Sequence, residues 1–140
     1  MKEHARVALR WLAAAAFAAA GSLHFLRPGL YLDLIPEALG APAFWNAVAG
    51  ATEVAGGLGL LVPRLRRAAA AGLILLLLVL LWVHVEMLLQ PERPVFGRVL
   101  PEWVLWARLP FQFVLIAWVA FAGGWIGGGR GPEPASSRSA

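Results

Sequence analysis

The chain contains no cysteine and few charged residues. Without cysteine there can be no disulfide, thiol redox centre, thiolate-held iron–sulfur cluster or cysteine-type zinc site. Charged residues make up 14% of the chain, against about 25% in ordinary globular proteins. Hydrophobic residues make up 60% and the mean hydropathy is +0.70. This balance excludes an ordinary soluble domain and indicates an integral membrane protein. The net charge is +4, but the basic residues sit singly or in small groups between apolar runs. They read as topology signals, and no nucleic-acid partner is expected. There is also no nucleophile–base constellation, phosphate loop or transition-metal cluster. We therefore expect no catalytic residues, no metal site and no enzymatic activity of the chain on its own.

What is present is organised around Glu53. It lies in the small-residue stretch Ala49–Pro63, inside an apolar run from Ala41 to Val62. About 20 residues at ~1.5 Å each cross a bilayer. A charge there costs roughly 2.5–3.5 kcal/mol on insertion scales, so such a carboxylate usually faces a helix bundle and has a partner.

Four spans are expected, at about 7–26, 43–62, 68–89 and 103–122, forming one membrane domain over 1–122. A basic start and Ala18-Ala19-Ala20 also give the first run some features of a signal peptide. Prolines and glycines in 27–42 and prolines in 90–102 disfavour helix there. Leu30–Ile35 is apolar enough to lie along the membrane surface, with Tyr31 at a suitable depth. Residues 123–140 are rich in Gly, Pro and Ser and are expected to be a disordered cytoplasmic tail. Short connections make neighbouring spans antiparallel, which gives an all-α, up-down four-helix bundle. Lys2, Arg6, Arg10, Arg64, Arg66, Arg67, Arg130 and Arg138 then share one side, and only Arg27, Arg93, Arg98 and Arg108 the other. By the positive-inside rule both termini are cytoplasmic. Trp11, Trp45, Trp103, Trp106 and Trp125 fall near span ends, as an interfacial belt would.

With this topology the polar intramembrane residues gather in the outer half. They are His24 on the first span, Asn46 and Glu53 on the second, His84 on the third, and Arg108 and Gln112 on the fourth. Asn46 and Glu53 are seven apart and share a face; Arg108 and Gln112 are four apart and share another. These six are the candidate ligand-binding residues of an outward-opening pocket. Glu53 could equally be a structural partner of Arg108 or Asn46. His84 and Glu86 are two apart, so only one can face the pocket fully.

Several short patterns resemble the DoxX family of small bacterial membrane proteins. Gly21-Ser22-Leu23-His24-Phe25-Leu26-Arg27-Pro28 closes the first span, and Ile35-Pro36 follows in the loop. Gly50, Glu53, Gly57 and Leu60-Leu61 mark the second span. Pro63–Arg67 makes the basic turn, and Arg108-Leu109-Pro110-Phe111-Gln112 opens the fourth. Trp82–Met87 stands where many members carry an asparagine-bearing polar stretch. The resemblance implies a bacterial inner-membrane, multi-pass protein linked with quinone or sulfur redox systems and an oxidoreductase partner. The resulting expectation is a redox-associated accessory subunit holding a quinone-like ligand in the outer pocket. Three alternatives stand beside it: a haem protein ligated by His24 and His84, which is disfavoured, a small proton-linked transporter, and a purely structural membrane partner. A homodimer is compatible with all of them.

Overall fold

Residues 2–20 contain neither proline nor glycine, so nothing interrupts a helix there. In the computed structural model, which describes residues 2–95 and 98–126, the first helix, α1, runs from Lys2 to Leu26. It therefore starts ahead of the apolar run that opens at Val7. Arg27-Pro28 ends it, because proline has no N–H to continue the ladder. Three single 3₁₀ turns follow, at Pro28–Leu30, Leu32–Leu34 and Glu37–Leu39. Pro42 then takes the first position of helix α2, Pro42–Leu61, where its fixed φ suits a helix start. Helices α3, Arg66–Leu89, and α4, Glu102–Ala122, complete the fold. Among the described residues there is no strand, only an isolated pairing of Val95 with Arg98.

Among the described residues three helices are long and apolar enough to cross a membrane: Glu3–Leu26, Arg66–Leu89 and Glu102–Ala122. α2 is not among them. Its 20 residues include Asn46, Thr52, Glu53 and four glycines, which lower its hydropathy. The expected tail at 123–140 falls mostly outside the described residues. Gly123–Ile126 turn back on the end of α4, with Gly124 at φ +80.

Each helix packs against its neighbours in the chain, and α4 also contacts α1. α1 and α2 lie closest. A Cβ on Gly21 would sit 2.7 Å from the Gly50 carbonyl oxygen, and one on Gly57 would sit 2.8 Å from that of Ala14. Small residues at these positions let the two backbones touch, which is how helices gain dispersion contacts where no hydrophobic drive exists.

The two ends of the molecule differ. At one end, arginines bind helix C-termini. Arg10 Nε donates to Ala122 O of α4 at 3.0 Å, and Arg66 Nε donates to Leu60 O of α2 at 3.1 Å. These carbonyls have no helical donor, and a cation there also suits the helix dipole. Arg10 is thus a helix cap as well as a topology charge. The core next to this end contains Ala13, Phe17, Leu60, Leu73 and Val119. At the other end a smaller cluster of Met87, Val95 and Leu105 packs with Leu34, Val83 and Leu100. Arg93 Nη2 donates to Ile35 O at 3.2 Å there and ties the two connecting segments together.

Candidate functional site

The candidate site lies at this second end. His24 is in the last turn of α1, and Pro28, four residues on, cannot donate to the His24 carbonyl. Asn46 of α2 supplies the missing donor: its Nδ2 binds His24 O at 2.9 Å. A carbonyl only accepts, so this bond fixes the amide orientation. Asn46 Oδ1 then faces His24 Nδ1 at 2.8 Å, which puts the imidazole proton on Nδ1. The other nitrogen, Nε2, faces Glu53 Oε2 at 3.7 Å, beyond hydrogen-bond distance. Glu53 Oε2 is buried and has no hydrogen-bond partner among the described residues. His24, Asn46 and Glu53 are each at least nine-tenths buried.

Tyr31 covers this group. Its ring stacks on His24, with centroids 3.7 Å apart and planes 19° from parallel. Burial, and to a lesser extent the Glu53 carboxylate, push the Tyr31 phenol above its ordinary value. Tyr31 therefore stays neutral at physiological pH and keeps its O–H. The sequence gives no strong signal for this contact, because the turn at Pro28–Leu30 brings Tyr31 back over its own helix end.

Beside the histidine lies a cavity of about 350 Å³ between α2 and α3. Its polar end has His24, Tyr31, Asn46 and His84, and Trp45 and Met87 also line it. Away from that end its walls are Ala49, Thr52, Gly72, Leu75, Leu76 and Val79. Leu75 and Val79 are about half exposed or more, so the cavity is a groove open along the side of the molecule. His84 Nδ1 is buried and has no hydrogen-bond partner among the described residues. Glu86 Oε2 is in the same condition, but Glu86 does not line the groove.

The six candidate residues thus fall into two groups. His24, Asn46 and Glu53 meet across the α1–α2 contact, and His84 lines the groove beside them. Arg108 and Gln112 do not line the groove and pack against α3, Arg108 on Met87 of the groove wall. Arg108 Nη1 reaches Met87 Sδ at 3.6 Å, and Gln112 Nε2 donates to Leu77 O at 2.6 Å. Glu53 faces the His24 ring, and no ion pair joins Glu53 to Arg108 among the described residues. α4 contributes no residue to the groove.

Gln112 is only 2% exposed, yet it should be dispensable. Leu77 O lies inside α3 and keeps its own helical donor, so Gln112→Leu strands nothing. The expected cost is within about 1 kcal/mol, checked by thermal unfolding in detergent.

Residues 13–122 match the model of a family described as Domain of unknown function (DUF8561). The chain belongs to the DUF8561 family. This corrects the resemblance to DoxX, and the implied redox partner and bacterial setting lose their support with it. The short patterns behind that resemblance have general physical causes. Glycines allow close helix contact, prolines end helices, and arginines sit at span ends. A helical membrane protein of another family can collect all of them. No curated protein and no solved structure matches this DUF8561 chain.

Proposed function

We propose that this DUF8561 protein is a multi-pass membrane protein that binds an amphipathic, quinone-like small molecule in the groove between α2 and α3. In this reading all four helices cross the bilayer, with both termini and the Arg64–Arg67 turn on the cytoplasmic side by the positive-inside rule. α2 tolerates its polar residues because seven of its residues, Asn46 and Glu53 among them, are buried against its neighbours. Large apolar side chains exposed on α1, α3 and α4, such as Leu12, Leu75 and Val114, face lipid.

The observation that carries the ligand reading is the Nδ1 of His84, without a partner among the described residues, at the polar end of an otherwise mainly apolar groove. A buried polar atom requires a partner, and a carbonyl or hydroxyl on a ring-shaped head supplies one. From His84 the groove follows α3 toward Gly72 for roughly 18 Å at 1.5 Å per residue. An apolar tail lies along that length. The same two histidines that could suggest haem favour a hydrogen-bonded ligand instead. Both ring nitrogens of His24 already face Asn46 and Glu53, so neither points to an iron in the groove.

The test uses Gly72, where an added Cβ meets nothing within 4 Å. Gly72→Phe should fold normally and fill the groove. Decylubiquinone titrated into protein-loaded nanodiscs should quench tryptophan fluorescence saturably, with Trp45 on the groove wall as reporter. Gly72→Phe should abolish the saturable phase. His84→Leu should weaken binding by about 1 kcal/mol, the usual worth of one hydrogen bond. Equal quenching of all three proteins would refute the site.

A further inference from the structure

We propose that His24 and Glu53 form a proton-binding site inside the α1–α2 contact, with one proton held on Glu53 Oε2 and facing His24 Nε2. The site stands whether or not the groove takes a quinone-like ligand. It begins with Pro28, which leaves the His24 carbonyl without a backbone donor. Asn46 Nδ2 fills that place at 2.9 Å, so Asn46 Oδ1 is the atom turned to His24 Nδ1, at 2.8 Å. An amide oxygen only accepts, so the ring hydrogen is on Nδ1 and Nε2 carries a lone pair. Glu53 Oε2 stands opposite Nε2 at 3.7 Å and has no hydrogen-bond partner among the described residues. On a carboxylate that oxygen is an acceptor too. Two acceptors would then face each other inside a helix contact.

One proton resolves the conflict. On Oε2 it turns an O–H toward the Nε2 lone pair and cancels the charge. On Nε2 it would leave two charges on side chains only 8% and 9% exposed, with Asn46 as the polar side chain bonded to the ring. Such a pair repays its desolvation only when further hydrogen bonds complete it. A bridging water supplies hydrogens to both atoms but leaves the carboxylate charge buried, which costs far more than neutralising it. The surrounding groups do not cancel that charge either. Tyr31, stacked on His24, keeps its O–H. Arg10 of α1 binds Ala122 O, and Arg66 of α3 binds Leu60 O, two turns along α2 from Glu53. His84 of α3 lines the groove, and Arg108 of α4 makes no ion pair with Glu53 among the described residues. His24 and Tyr31 line the groove as well, which gives the site a route to the surface.

Solid-state NMR of the full chain in nanodiscs, labelled with carbon-13 glutamate and nitrogen-15 histidine, tests the proposal. Glu53 is identified by magnetisation transfer between its carboxyl carbon and His24 Nε2, the imidazole–carboxyl contact among the described residues. At neutral pH its carboxyl carbon should have the shift of a protonated acid, and Nε2 should be unprotonated. Infrared spectra give a second readout. The C=O band of a carboxylic acid should be present in wild type and its Glu53 component lost in Glu53→Gln. Glutamine keeps an N–H for Nε2, so this variant should fold, and the NMR measurement needs no variant. A Glu53 carboxylate at neutral pH overturns the proposal, whether Nε2 then carries the proton or a water lies between the two atoms. An acid band left unchanged by Glu53→Gln overturns it as well.

Discussion

Gly21→Val is expected to destabilise the protein by about 3 kcal/mol, the upper part of the usual range for overpacking. The reason is what its Cβ would meet. Its nearest neighbours would be Gly50 O at 2.7 Å, Glu53 Cβ at 2.8 Å and Val54 N at 2.8 Å. Two of these are backbone atoms of α2 and the third is fixed to it, so no flexible side chain can move aside. Relief requires α1 and α2 to separate. That separation also pulls His24 from Asn46, because both contacts lie in the same helix interface. The matched control is Gly72→Ala. Its Cβ meets open space, and alanine gains about 1 kcal/mol of helix propensity over glycine. Unfolding followed by circular dichroism in a mixed-micelle titration should order the proteins as Gly72→Ala, wild type, Gly21→Val. A Gly21→Val protein as stable as wild type would mean that the helices are not in backbone contact there.

This pair of glycines also marks what the sequence made legible. Apolar runs bounded by prolines and arginines were enough to locate the helices. Composition alone indicated chain-spanning apolar helices, because charge is scarce over such lengths. The seven-residue spacing of Asn46 and Glu53 placed them on one face of α2, and that face meets α1. The partners across the faces were harder to read. Periodicity says which residues of a helix share a face, not which neighbouring helix that face touches. Arg108 and Gln112 share a face as their spacing requires, but it turns to α3 and not to Glu53. Tyr31 lies in a segment whose chain reversal depends on three successive 3₁₀ turns, and no periodic pattern encodes that. The capping role of Arg10 has no local signal, because its partner, the end of α4, is remote in the sequence. The family was misjudged for a related reason. Short motifs report local physical needs, and those needs are common to many membrane folds.

Asn46→Leu is expected to cost about 3 kcal/mol, from two buried groups each left without a partner at roughly 1–2 kcal/mol. Gln112→Leu, the same kind of change at an equally buried amide, is expected to cost within about 1 kcal/mol. The difference lies in what each amide serves. Leu77 O, the partner of Gln112, is an interior helix carbonyl that keeps its own N–H donor. His24 O, the partner of Asn46, faces the proline four residues on and has no backbone donor. Asn46 also holds the Nδ1–H of His24, so its loss strands a donor as well as an acceptor. With Nδ1 no longer held, the imidazole proton is free to move to Nε2, toward Glu53. Nitrogen-15 spectra of histidine-labelled protein distinguish the two tautomers. Wild type should show His24 protonated at Nδ1, and Asn46→Leu should show a mixture or the Nε2 form. Thermal unfolding of Asn46→Leu and Gln112→Leu under the same conditions gives the stability contrast. Equal costs for the two substitutions would refute the view that Asn46 replaces the donor that Pro28 lacks. An unchanged His24 tautomer would refute its role in orienting the ring beside the groove.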